Sequence, residues 1–437
     1  MMGCGGAISV SLLLLLLSCF TEIALAGCDK APVLFVFGDS NSDTGGLASG
    51  LGFPINPPNG RNFFHRSTGR LSDGRLLIDL LYSNLGTFHL PSCTLSSLPS
   101  DSDQFDIEQP RVTEIEGQMP HLWLVTTCDY EVGGGYRSRT CFFHRLSLNA
   151  SLLVPYLDAL SGTSFTNGAN FAVVGSSTLP KYVPFSLNIQ VMQFRRFKAR
   201  SLELVTAGAR NLINDEGFRD ALYLIDIGQN DLADSFAKNL SYAQVIKKIP
   251  AVITEIENAV KSVMFAFSIC MQNLYNDGAR KFWVHNTGPL GCLPKILALA
   301  QKKDLDSLGC LSSYNSAARL FNEELLHSTQ KLRSELKDAT LVYVDIYTIK
   351  YDLITNAAKY GFSNPLMVCC GYGGPPYNFD VRVTCGQPGY RVCDEGARYV
   401  SWDGIHQTEA ANTLIASKIL SMAYSTPRTP FDFFCHQ

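Results

Sequence analysis

The chain has 437 residues, of which 46% are hydrophobic and 17% charged, so it can bury a substantial core and is not a disordered chain. Its formal net charge of -3 leaves no basic field and gives no argument for nucleic acid as a partner. Removing the N-terminal segment described next deletes Glu22 and no Lys or Arg, which leaves the balance mildly acidic.

Residues 1–26 read as a secretory signal, with an apolar region over 8–20 and the small-x-small cleavage site Ala24-Leu25-Ala26 before Gly27. A membrane anchor is the alternative, but the run is short for a span, and no later stretch is long and apolar enough to cross a bilayer. Fourteen cysteines fit an oxidising compartment, and Cys4 and Cys19 leave with the signal. Cys292 and Cys310, and the cluster Cys369, Cys370, Cys385 and Cys393, are candidates for bridges whose pairing spacing alone does not settle. A zinc reading is weak, because the chain has no Cys-x-x-Cys pair and no His-Glu-x-x-His, and no cofactor is expected. The sequons at Asn149 and Asn239 agree with secretion.

The first expected element is a buried strand at Val33-Leu34-Phe35-Val36-Phe37, which stops at Gly38-Asp39-Ser40. A loop rich in Gly, Pro and Asn follows over 50–69, then a helix over 76–82. Residues 83–146 change character: Pro/Ser-rich pieces, an acidic patch, a glycine run and three cysteines show no sustained period, and only 122–127 suggests a strand. Further strands are expected over 170–175, 221–227, 281–285 and 340–344, and helices over 187–200, 312–337 and 409–422. A helical region over 242–275 is broken near Pro250. Strands alternating with helices predict an α/β fold, a central parallel sheet between helical layers, in a single domain over 27–437 with an atypical insertion at 83–146.

Acyl transfer by serine needs a nucleophile, a base, a group that orients the base and donors for the oxyanion. Ser40 sits at a strand end, the rim where open α/β sheets place ligands. His406 would be the base, since imidazole as a side-chain type ordinarily changes charge near neutral pH, and Asp403 would hold its tautomer and stabilise the imidazolium. The N–H groups of Ser40 and Gly175, with the Asn230 amide, would form the oxyanion hole. Each piece has a plainer reading: a helix cap at Asp39, Ser40 or Asn41, a turn glycine at Gly175, a cap at Asn230, a surface Asp-x-x-His pair. Their joint occurrence at successive strand ends is the signal. No Gly-x-Ser-x-Gly elbow occurs, which disfavours an ordinary α/β-hydrolase.

Phe37-Gly38-Asp39-Ser40-Asn41-Ser42-Asp43-Thr44-Gly45-Gly46, Gly168-Ala169-Asn170-Phe171-Ala172-Val173-Val174-Gly175, Gly228-Gln229-Asn230-Asp231 and Asp403-Gly404-Ile405-His406 resemble the blocks of the GDSL-type (SGNH) hydrolases. Asn286-Thr287-Gly288-Pro289-Leu290-Gly291-Cys292 and Cys369-Cys370-Gly371-Tyr372-Gly373-Gly374 resemble the secreted plant branch of that family. The resemblance covers about residues 30–82 and 147–425. It implies a flavodoxin-like three-layer α/β/α fold with Ser40 as nucleophile, Asp403 and His406 completing the triad, and Ser40, Gly175 and Asn230 as oxyanion donors, Gly168 being the alternative to Gly175. Asn41 stands where the name-giving motif has leucine. Asp43 is expected to cap the following helix or brace the Ser40 loop.

Three functions follow. The first is a secreted hydrolase of carboxylic esters, either lipid or acetylated carbohydrate, acting in the extracellular space or cell wall on a small-molecule or polysaccharide-borne ester. The second is a fucosidase-like glycoside hydrolase, which needs a carboxylate pair the sequence does not show convincingly. The third is a non-catalytic carbohydrate-binding protein, which would not need a triad. Residues 83–146 match no part of the family pattern and are expected to be dispensable for fold and chemistry, as a genuine insertion or a mis-spliced segment.

Overall fold

The computed structural model describes residues 32–85, 111–113, 124–132, 135–143, 152–158, 164–181, 183–260, 274–300 and 304–429. The expected signal at 1–26 and the sequon at Asn149 lie outside them.

All five residues of β1 (Leu34–Gly38) are buried. Strand alternation turns Phe35 and Phe37 into one core and Leu34 and Val36 into another on the opposite face. Because both faces are covered, the stretch reads in the sequence as an unbroken apolar run.

After β1 come β2 (Arg111–Thr113), β3 (Leu124–Val132) and β4 (Gly135–Phe143), which pair antiparallel in a sheet of their own. Part of the segment expected to lack structure is thus a small meander. β3 and β4 pair from Leu124 and Phe143 to Val132 and Gly135.

The main sheet has six strands and runs β5 (Gly168–Asn170), β1, β6 (Leu222–Asp226), β7 (Lys281–His285), β8 (Thr340–Val344) and, at the far edge, β11 (Ser425–Thr426). A separate pair, β9 (Cys370–Gly371) and β10 (Arg391–Val392), is antiparallel. Within the main sheet every pairing is parallel except β11 on β8. The chain goes from β1 to β5 on one side and then to β6 on the other, so the strand order reverses between β1 and β6. Open α/β sheets bind ligands at the C-terminal strand ends there.

The helices are α1 (Gly46–Leu51), α2 (Leu77–Leu85), α3 (Leu187–Thr206), α4 (Asp215–Asp220), α5 (Gln229–Ala237), α6 (Tyr242–Ile246), α7 (Ile249–Val260), α8 (Pro294–Leu299), α9 (Ser312–Glu335), α10 (Ile346–Thr355) and α11 (Glu409–Leu420). α3, α7 and α9 cover the face that carries Phe35 and Phe37, and α2, α10 and α11 cover the other. The first core is aromatic: Phe35 stacks on Phe218 at 5.4 Å and meets Phe194 edge-on at 5.0 Å. The result is an α/β fold with a mostly parallel central sheet between two helical layers, as the SGNH hydrolase fold requires.

One expectation needs correction. The strand expected over 170–175 is instead Gly168–Asn170. The ladder stops because Gly38 N, the next donor along β1, gives its hydrogen to Gln190 Oε1 at 2.9 Å, while the Asn170 side chain ties the exit to the Ser40 turn: Nδ2 donates to Ser42 O at 2.6 Å and Thr44 Oγ1 at 3.0 Å, and Oδ1 accepts from Ala172 N at 2.9 Å. The residues beyond become a loop wrapped onto the Ser40 region. The break expected near Pro250 falls just before it, between α6 and α7. Pro250 sits in the first turn of α7, where a missing N–H costs no helical hydrogen bond.

Candidate active site

The end of β1 is closed by an amide from α3. Gly38 N donates to Gln190 Oε1 at 2.9 Å, and Gln190 Nε2 donates back to Gly38 O at 2.8 Å. The Gln190 side chain thereby acts as one more residue of a neighbouring strand. Past this point the chain turns, and Ser40 is 5% exposed at the C-terminal edge of the sheet. Asp39 accepts from Asn41 N and Asn41 Nδ2, both at 3.0 Å. Of the residues that could cap the following helix, Asp43 does so: its carboxylate accepts from Gly45 N at 2.7 Å, Leu47 N at 3.1 Å and Gly46 N.

Asp403 and His406 meet in one loop. His406 Nδ1 lies 2.6 Å from Asp403 Oδ2, and Asp403 Oδ1 accepts from Ile405 N at 3.0 Å and His406 N at 2.9 Å. Burial works to raise the Asp403 pKa, but the His406 ring and these N–H donors outweigh it and hold the carboxyl below its ordinary range. With Nδ1–H on the carboxylate, Nε2 is the free lone pair, and it is buried without a hydrogen-bond partner among the described residues.

The loop has a firm support. Trp402, fully buried, donates Nε1–H to Asn59 Oδ1 at 2.9 Å, and Trp402 N donates to His406 O at 2.7 Å. Cys369 N and Cys370 N donate to Ser401 O and Trp402 O at 3.0 and 2.7 Å. Those cysteines form the disulfides Cys369–Cys393 and Cys370–Cys385, and Cys292–Cys310 is the third bridge among the described residues. Pairing left open by spacing is thus fixed, and the cysteines that a zinc reading would use are bonded to each other.

Gly175 has φ +79°, a left-handed value, and a Cβ there would come within 3.0 Å of Val183 Cγ2. Among the described residues neither Gly175 N–H nor Ser40 N–H meets an acceptor. Gly168, the alternative, pairs with Leu34 at the far end of β1 from Ser40. Asn230 stands in the first turn of α5. Its Nδ2 donates to Ser176 O at 2.8 Å and faces Asp39 Oδ2 at 3.5 Å, a separation too long for a strong hydrogen bond. One amide hydrogen is therefore weakly engaged.

Next to the Ser40 turn lies a cavity that sequence reasoning missed, lined by Asp39, Asn41, Asp226, His285, Thr287 and Lys350 and by the apolar Leu77, Ile227 and Ile346. Asp226 accepts from Ser42 Oγ at 2.9 Å. Burial first, and the Asp226 charge second, push the Asp39 pKa up to about 7, against the Asn41 hydrogen bonds and His406. Burial likewise pushes His285 down to about 4 and lowers Lys350. Asn41, where the family motif has leucine, joins the polar part of this lining. The strand ends Asp226 and His285 looked like ordinary terminal residues, and no short-range signal marks them.

Comparison with known proteins agrees with the geometry. Residues 133–419 match the family described as GDSL-like Lipase/Acylhydrolase. Ser40 lies before that stretch, but longer alignments include most of the chain. A GDSL esterase/lipase of Arabidopsis thaliana is 53% identical over 418 residues, covering 95% of this chain and 93% of the relative. A second from the same plant, GDSL esterase/lipase LIP-4, is 52% identical over 415 residues, covering 94% and 91%. An esterase of Hevea brasiliensis is 37% identical over 446 residues, covering 96% and 93%. With more than half of its length matched by the family and its fold and disulfides in place, the chain belongs to the GDSL-like lipase/acylhydrolase family and is a carboxylic-ester hydrolase.

Proposed function

We propose that the protein is a secreted serine hydrolase that cleaves its ester through an acyl-enzyme on Ser40. The observation that carries this reading is the His406 ring, held by Asp403 through Nδ1 at 2.6 Å and presenting a buried, unpartnered Nε2. Ser40 Oγ attacks the ester carbonyl as His406 Nε2 takes its proton. The oxyanion is met by Ser40 N–H, Gly175 N–H and the weakly engaged hydrogen of Asn230. The imidazolium then protonates the leaving alkoxide, which departs as the alcohol. Water, deprotonated by His406, attacks the acyl-enzyme and releases the acid and Ser40.

The substrate in this reading carries a short acyl group, acetate on a carbohydrate before a long-chain lipid. What supports it is the set of polar side chains, among them Asp39, Asn41, Gln229 and Asn286, in the cavity next to the Ser40 turn, which they line together with Leu77, Ile227 and Ile346. Secretion is supported by the three disulfides, and Asn239, exposed just past α5, is proposed as a glycan acceptor together with Asn149.

The test compares hydrolysis of p-nitrophenyl acetate, a p-nitrophenyl long-chain ester and a p-nitrophenyl fucoside, with labelling by a fluorophosphonate. Wild type should favour the acetate, leave the fucoside intact and take the label, and Ser40→Ala should lose both turnover and label. Equal labelling of the two proteins overturns the assignment of Ser40, and turnover of the fucoside alone overturns the esterase reading.

A further inference from the structure

We propose that Asp43 and Asp231 are positioning residues that fix the Gly175 loop between the Ser40 turn and helix α5, so that the oxyanion hole is assembled before substrate arrives. This rests on the assignment of Ser40, Gly175 and Asn230 given above.

The three donors come from three separate pieces of chain, and nothing in local structure sets their spacing. Two buried carboxylates do. Asp43 is fully buried, and besides the first N–H groups of α1 it accepts from Val174 N at 2.8 Å. Val174 immediately precedes Gly175, so this bond ties the residue next to Gly175 to the turn that carries Ser40. Asp231, 5% exposed, follows Asn230 in α5. It accepts from Thr178 N and Thr178 Oγ1, both at 3.0 Å. Between these two clamps Ser176 O accepts from Asn230 Nδ2 at 2.8 Å. Gly175 is therefore held on its N-terminal side by the nucleophile turn and on its C-terminal side by the asparagine's helix.

A capping role alone does not call for a carboxylate in either place. α1 is six residues long, and a neutral Ser, Thr or Asn caps a helix as well as Asp. A buried carboxylate is costly unless its oxygens are all hydrogen-bonded. Asp43 meets that condition with four backbone N–H donors from two segments of chain. A neutral amide offers one acceptor oxygen, where Asp43 uses two: Oδ1 accepts from Gly45 N and Gly46 N, and Oδ2 from Leu47 N and Val174 N. Burial raises both carboxyls, more than these donors lower them. Such a cost is maintained where preorganised donors matter, because an oxyanion hole works by needing no reorganisation during reaction.

The experiment measures kcat and KM for p-nitrophenyl acetate, and the affinity of a boronic acid that forms a tetrahedral adduct on Ser40, in Asp43→Asn, Asp231→Asn and the isosteric Thr178→Val. Misplacing a catalytic group by about 1 Å costs on the order of 10²-fold, so Asp43→Asn should lose roughly 10- to 100-fold in kcat with KM nearly unchanged. Boronate affinity should fall in step. Thr178→Val should show a smaller loss of the same kind, and it keeps the proposal testable if an Asp variant fails to fold. Asp231→Asn combined with Asn230→Ala should be less damaging than the two single effects multiplied, since both act through one donor. Asn214→Ala, which removes the cap of α4 where Asn214 Oδ1 accepts from Gly217 N, controls for loss of stability alone. Folded variants with wild-type kcat and boronate affinity, or multiplicative effects in the double variant, overturn the proposal. Full turnover in Ser40→Ala would instead overturn the assignment it rests on.

Discussion

Asp39 is the neighbour of Ser40 in the chain, yet residues from other strands govern its charge. Burial and Asp226 raise its pKa from the ordinary 3.8 to about 7. Its folded form therefore holds a proton that the unfolded chain has lost over that interval. The folded state binds more protons than the unfolded state there, so this group's stabilisation is complete below pH 4 and is lost as pH rises to 7. Asp39→Asn keeps the oxygen that accepts from Asn41 and removes the titration. Thermal midpoints of the variant should decline less between pH 4 and 7 than those of wild type, and parallel curves would contradict the raised value. Asn230→Ala tests the other side of the same contact: kcat should fall about 10²–10³-fold with the fold intact, as for loss of one oxyanion donor. The strand-end place of Ser40 and the Asp403–His406 contact were legible because each sits in a short local motif. Asp226, His285 and Lys350 were not, since only the sheet order brings them to Asp39. Asp43 was half legible: its capping could be anticipated, but its bond to Val174 depends on where the loop after β5 runs.

Among the elements, β7 and β8 occupy the residues expected of them, because Lys281–His285 and Thr340–Val344 are β-rich runs bounded by breaks. α10 was not anticipated. Its sequence carries Ile, Tyr, Thr and Ile in the first positions, residues that favour strands, and its helix is set by Asp345, which accepts from Thr348 N at 3.0 Å. β5 is short because Gly38 N donates to Gln190 Oε1 and not along the ladder, and the Asn170 side chain bonds across to Ser42 and Thr44. The Gly- and Pro-rich loop before α2 is held in a comparable way. Arg70 Nε and Nη2 each donate to the Asp79 carboxylate at 2.8 Å, both side chains are buried, and Arg70 Nη1 reaches Thr44 O at 3.1 Å. Asp79 also accepts from Leu76 N at 2.9 Å at the start of α2. Removing one partner of a buried pair leaves an uncompensated charge, which costs about 3–5 kcal/mol. Asp79→Ala should lose stability of that order in urea unfolding, whereas Lys331→Ala, at the exposed Lys331–Glu257 pair, should change little.

At the scale of the molecule, the open question is how residues 83–146 relate to the domain. α2 enters the core with Leu77, Leu80 and Leu81, and Leu153 joins the same cluster when the chain returns. Leu153 O also accepts from Thr44 Oγ1 at 3.3 Å, next to the Ser40 turn. Both flanks of the segment thus belong to one packed unit, as consecutive pieces of a domain would. We propose that 83–146 is an insertion into this single domain, dispensable for fold and chemistry. Among the described residues β2, β3 and β4 pair with one another and with no strand of the main sheet. A segment that satisfies its own strand hydrogen bonds can be removed without opening the main ladder, and closure entropy changes only slowly with loop length. Cysteine number sets the limit. The chain beyond the expected signal has twelve cysteines, and without Cys93, Cys128 and Cys141 it keeps nine. Six of those nine form the three described bridges, leaving Cys28, Cys270 and Cys435. Joining Tyr82 to Ser147 and expressing the product in a secretory host should therefore give a soluble, esterolytic protein. Thiol titration of that product under denaturing conditions should find at least one free cysteine. If the full-length chain is active and the shortened one fails to fold, the segment is part of the domain, and a bridge from one of its three cysteines to Cys28, Cys270 or Cys435 becomes the first thing to map.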